Sequence, residues 1–230
     1  PVGYHRVQIA DQSFTLAVAP HQCFSVAEAV DSQPARAWGL SVQLYALRRS
    51  GDGGFGDTQA LEQLARAAAE RGVDALAISP LHAMFSADTE RYSPYSPSSR
   101  LFLNSLYASP GCILGERALR SAIESSGLVD ELQALEQQSL IDWPAAAKTK
   151  KRLLRALYED FRQGEHPQQA DFLSFRQAGG EALENHCRFE AVQAERAANG
   201  ESLDWRQWPE DWRDPGSAAL AQFAVEQGDA

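Results

Sequence analysis

Residues 74–107 read DALAISPLHAMFSADTERYSPYSPSSRLFLNSLY, and this stretch decides the fold. It opens on Ala75-Leu76-Ala77-Ile78, a nearly unbroken apolar run that predicts a β-strand buried on both faces. The run stops at Ser79-Pro80, and the Pro/Ser/Tyr-rich segment after it predicts irregular chain. Loops at the C-terminal ends of buried strands are where α/β proteins build their sites, because such loops vary without disturbing the sheet. Ser93, Tyr95, Ser98 and Ser99 supply hydroxyls there, while Pro94 and Pro97 fix the backbone around them. A rigid, uncharged, hydroxyl-rich loop suits a polyol better than a phosphate or a nucleic acid.

Upstream, Trp38–Leu47 predicts another strand, with β-compatible Val42, Leu44 and Tyr45. Arg48–Gly56 is a loop holding four of the sixteen glycines; its Gly-x-Gly spacing lacks the Lys-Ser/Thr of a phosphate loop. Asp57 fits an N-cap, and Leu61, Leu64, Ala65 and Ala68 trace one face of a helix ending before Gly72. Strand, helix and strand make a βαβ unit, hence an α/β fold with a right-handed crossover. Tyr4–Ile9 and Phe14–Val18 alternate as a β-hairpin, and residues 20–34 form a connector. After Tyr107 the pattern turns helical, with helices expected over 116–125, 130–138, 144–163, 172–177, 181–198 and 217–227.

Four segments together, WGLSVQLYALR, GFGDTQALEQLA, ISPLHAMF and YSPYSPSSRLFLNSLY, resemble the bacterial 4-alpha-glucanotransferases, or amylomaltases. The resemblance implies the start of a (β/α)8, TIM-type barrel, preceded by a β-hairpin remnant and followed by a mainly helical insertion. Its division would be 1–34 (end of a β-rich domain), 35–110 (first βαβ unit with a substrate loop) and 111–230 (helical subdomain). It implies transfer of α-1,4-glucan segments between maltodextrins through a covalent glycosyl-enzyme intermediate. It also places Ser93 and Tyr95 beside the sugar. Gln43 and Tyr45, at the end of the first strand, and His82, just past the second, are further substrate-binding candidates.

Retaining transfer needs two carboxyl groups about 5–5.5 Å apart. The chain has 31 acidic residues, none in the Arg-x-Asp setting of the family's nucleophile, so the catalytic pair is expected outside it. The isolated chain is therefore expected to be inactive. The alternative is a non-catalytic glucan-binding or interaction module that reuses the barrel's opening. No cofactor and no metal is expected. His186, Cys187 and Glu190 share a helix and could hold a metal, though three such residues more often serve core and surface. Trp205, Trp208 and Trp212 fit a sugar-stacking platform or a packing face for a neighbouring domain.

A net charge of −10 argues against nucleic acid and anionic membrane as partners, and a neutral glucan or maltooligosaccharide is indifferent to it. Cys23, Cys112 and Cys187 are odd in number and widely spaced, which suits the reducing cytoplasm. Pro1 opens the chain and Met84 is its only methionine, which predicts a piece of something longer. Two parallel strands alone would leave unpaired edges, so the chain is expected to self-associate or to cover them with its own helices.

Overall fold

The structure, a computed structural model, describes residues 1–30 and 36–226. The expected boundary between residues 34 and 35 and the end of the last expected helix lie outside the described residues. Strands β1 (Gly3–Ile9) and β2 (Gln12–Val18) pair antiparallel from Gly3↔Val18 to Ile9↔Gln12, as the alternation predicts. That register leaves Ala10 and Asp11 as a two-residue loop, with Ala10 in left-handed backbone at φ 54°. Within the connector, α1 (Val26–Ala29) is one turn closed by a Ser25–Glu28 capping box.

β3 (Gly39–Val42), α2 (Thr58–Ala69) and β4 (Ala75–Ile78) form the βαβ unit, with β3 and β4 parallel from Gly39↔Ala75 to Val42↔Ile78. The strands sit so close that a Cβ on Gly39 would lie 2.7 Å from the Ala75 carbonyl oxygen. β3 is shorter than the predicted 38–47. At Leu44 the chain tightens into a 3-10 turn, Leu44–Ala46, because the Ser79 hydroxyl accepts the Leu44 amide at 3.0 Å. The fully buried Leu44 side chain then anchors a cluster with Phe55, Tyr107, Leu135 and Ala146. Asp74 clamps the other end of the sheet, its carboxylate accepting the Trp38 amide at 3.0 Å.

β4 departs from the expected burial on both faces. Ala75 and Ala77 are exposed, and Leu76 and Ile78 are half-buried. Among the described residues β3 is its one ladder partner, so one face and one edge remain uncovered. The segment after β4 is also more regular than expected. β5 (His82–Ala83) and β6 (Ser99–Leu103) pair antiparallel across it, with an irregularity between His82 and Ala83.

The helical part follows as α3 (Pro110–Leu114), α4 (Glu116–Ser125), α5 (Val129–Glu136), α6 (Trp143–Gln163), α7 (Gln169–Ala198) and α8 (Ala218–Glu226). Asp142 caps α6 through the Ala145 amide, and α7 kinks at Gly180, at the Gly-Gly break that separates the two helices expected there. Leu128 and Leu132 pack on Leu153 and Leu157 of α6, while Val192 of α7 packs with Trp208, Leu220 and Phe223. Among the described residues no helix is long and apolar enough to cross a membrane.

Candidate functional site

The loop between β5 and β6 is a chain of turns. The Ser96 amide donates to the Ser93 carbonyl at 3.0 Å, which makes Ser93-Pro94-Tyr95-Ser96 a β-turn. Pro94 occupies its second position, where a fixed φ is preset for the turn. This leaves Ser93 exposed and Tyr95 66% exposed, their hydroxyl groups turned to no protein partner among the described residues. Ser98 closes the loop, its amide and hydroxyl both donating to the Ala83 carbonyl at 2.8 and 3.1 Å.

Beneath this loop lies a cavity of about 670 Å³. One wall comes from the loop and β6 (Phe85, Tyr92, Phe102), the other from α6 and α7. Tyr92 stacks on Trp143 at 5.1 Å, and Phe102 stacks on His186 at 4.7 Å. Glu190 ties the two walls together: one carboxylate oxygen accepts the Ser86 amide at 2.8 Å, and the other is buried with no partner among the described residues. Lys151 and His186 share the wall with it. Burial pushes the Lys151 ammonium and the His186 imidazole below their usual pKa ranges, and the Glu190 charge opposes both shifts. The cavity is thus an aromatic-walled space with a carboxylate acceptor and two nitrogen groups on one side. That chemistry suits a ring bearing hydroxyls.

The structure brings some of the predicted residues together and leaves others apart. Tyr45 meets Trp143 edge-on at 4.9 Å, so it joins the same aromatic array as Tyr92. Phe55 completes that array between Trp143 and Tyr107. The Tyr107 hydroxyl is pushed up to about 12 by burial and by nearby Tyr45. Gln43 is exposed at the end of β3, and His82 is half-buried in β5, paired with Leu103; neither lines the cavity. Ser93 and Tyr95 stand outside it as well. His186, Cys187 and Glu190 do not converge: among the described residues no three such side chains could hold a metal.

Sequence reasoning missed Trp143, Tyr92, Phe102 and Lys151. Asp142-Trp143-Pro144 marks a helix start, but nothing local says that this indole folds back against Tyr45, Phe55 and Tyr92. The Gly-rich loop is settled by its occupants. Asp52 accepts the Gly54 amide at 2.8 Å, and Glu136 of α5 accepts the Gly53 amide at 3.0 Å. Amides already held by carboxylates offer no cradle for a phosphate.

The fold is that of an amylomaltase in part. The crystal structure of amylomaltase from Corynebacterium glutamicum superposes with a TM-score of 0.64 at 21% identity, over 98% of this chain and 31% of that one. A family model described as 4-alpha-glucanotransferase matches residues 42–230, and the chain belongs to that family. Similar proteins include the 4-alpha-glucanotransferase of Mycobacterium tuberculosis, 29% identical over all of this chain and 32% of its own length. That of Haemophilus influenzae is 25% identical over 93% of this chain and 32% of its own length. The chain spans about a third of the relatives it matches.

Proposed function

We propose that this chain is part of an enzyme that transfers α-1,4-glucan segments between maltodextrins through a covalent glycosyl-enzyme intermediate. In this reading β3–α2–β4 opens a (β/α)8 barrel, with 1–34 ending a β-rich domain and 111–230 forming a helical subdomain. The chain's share of the work is to bind and orient the glucan. The nucleophile and the acid/base carboxyl lie outside residues 1–230. The observation that carries the reading is the family match over 42–230. The exposed Ser-Pro-Tyr turn, in the loop whose Phe85 and Tyr92 line an aromatic-walled cavity, supports it.

Ser93 and Tyr95 present their hydroxyls to the sugar, and Gln43, Tyr45 and His82 line the approach from the strand ends. Positioning contacts of this kind act on rate, because a small misplacement of the reacting bond costs much of the advantage of binding. Tyr95→Ala and Ser93→Ala in the longer enzyme that carries this chain should each lower disproportionation of maltotriose about tenfold or more, with unchanged thermal unfolding. The 230-residue chain alone should give no turnover. Normal kinetics in both variants would remove the binding role, and turnover by the purified chain would place the carboxyl pair inside it.

A further inference from the structure

α7 carries two sites on opposite faces. Leu183, His186, Glu190 and Ala194 face the cavity beneath the Ser-Pro-Tyr loop, whereas Asn185, Arg188, Phe189 and Val192 face a second pocket of about 250 Å³. The chain returning after α7 closes that pocket with Trp205, Trp208 and Trp212. Its inner wall is fixed. Trp208 is 3% exposed, donates its indole N–H to the Ser202 carbonyl at 3.2 Å and packs on Phe189, while Trp212 packs on Phe223. Its outer wall is not, because Trp205 is 46% exposed, with the Arg206 guanidinium over its ring.

Arg188 is the polar anomaly of this pocket. Its Nη1 makes two long contacts, to the Asn185 side chain at 3.5 Å and the Pro215 carbonyl at 3.4 Å. Among the described residues its buried Nε has no acceptor, and no carboxylate lies within ion-pair distance of it. A buried guanidinium N–H without an acceptor destabilises the fold unless something else supplies one. Arg213, on the same pocket, donates its Nε to the Trp208 carbonyl at 2.7 Å. The pocket therefore holds a buried N–H without an acceptor in a lining of three tryptophans, Phe189, Val192 and Leu220, which is more apolar than a phosphate site.

We propose that this pocket binds one glucopyranose ring of an α-1,4-glucan, as an accessory anchor separate from the Ser93/Tyr95 loop. The apolar C–H face of the sugar lies against Trp205 and Trp212, and a ring hydroxyl accepts from the Arg188 Nε. The ligand class rests on the proposed function; the site rests on the pocket.

Indole N–H resonances of the isotopically labelled 230-residue chain test it, because the five tryptophans report separately. On titration with maltotriose, the Trp205 and Trp212 signals should shift saturably. Trp205→Ala should weaken that binding about tenfold, read on Trp212, and Arg188→Gln by a similar factor. Tyr95→Ala should leave it unchanged. Because Trp205 is half exposed, the alanine variant should unfold at the parent temperature; Arg188→Gln keeps the test decisive if it does not. Trp143 reports the other cavity, so the two readings fail separately. A response of Trp143 alone overturns the accessory site and leaves the proposed function standing. A response of Trp205 and Trp212 with Trp143 silent supports the anchor and counts against the loop site. Shifts caused by inorganic phosphate but not by maltotriose overturn the sugar assignment.

Discussion

Asp57 joins α2 to the loop that carries Arg49, and replacing it should be the most damaging single change in the βαβ unit. Its carboxylate is fully buried and accepts from Arg49 Nη2 at 2.6 Å, from Arg49 Nε at 3.1 Å and from the Ala60 amide at 2.9 Å. Asp57→Ala removes the N-cap of α2, worth about 1 kcal/mol. It also leaves the Arg49 charge without its partner. Breaking a buried pair costs about 3–5 kcal/mol, and the lower end applies because Arg49 keeps 18% of its side-chain surface in water. The total is about 4 kcal/mol, a large part of a typical stability of about 5–15 kcal/mol.

Asp57→Asn keeps an acceptor for the cap and loses only the charge, so it should cost about 2–3 kcal/mol. Urea unfolding measures both variants, and Asp57→Ala should shift the midpoint by more than about 1 M. A loss below about 1 kcal/mol for Asp57→Ala, or equal losses for both variants, would refute the argument. pH offers a second check. Burial pushes the Asp57 carboxyl up, but the Arg49 pair and the Ala60 amide more than offset that and hold it below its ordinary value. The folded state therefore binds the proton less readily than the unfolded chain. The contribution is fully present above about pH 4 and is lost as pH falls through the depressed folded value. In Asp57→Asn that part of the acid sensitivity should vanish.

Ala10→Gly should stabilise the hairpin by about 1 kcal/mol, read by amide exchange in β1 and β2, since φ 54° strains an L residue and not a glycine. Gly39→Val should disrupt the β3–β4 ladder, because its side chain would meet the Ala75 carbonyl; protected amides in β4 would contradict this. The open edges of the two-stranded sheet, and its Leu40, Val42 and Leu76 face, which is covered only in part (Leu40 36% exposed), should make the chain self-associate. Light scattering should then show an assembly that Val42→Asp or Leu76→Asp shifts towards monomer, and a monomeric parent chain would end the idea.

Much of this protein was written in local chemistry. The hairpin followed from alternation over 4–9 and 14–18, α4 from residues 116–125, and the start of α2 from Asp57, whose side chain caps the helix three residues on. The break in α7 followed from Gly179-Gly180, because a glycine tolerates φ 52° in mid-helix. In each case the deciding interaction spans a few residues, so composition and spacing specify it.

Contacts across long separations decided the rest. The length of β3 depends on the Ser79 hydroxyl 35 residues away, and the contents of the Gly-rich loop on Glu136, 83 residues from Gly53. The cavity wall exists because Trp143 and His186 fold back onto Tyr92 and Phe102. The three tryptophans looked equivalent in sequence, yet one is core and another stands half in water. Periodicity names the face of an element that will be buried, but not which distant side chain will cover it. By itself, therefore, the sequence determined the hairpin, the βαβ unit, most of the helices, the Asp57 cap and the family. Only the tertiary structure decided where the strands stop, which carboxylates fill the glycine loop and which aromatic rings meet, since those depend on groups the chain brings together only when it folds.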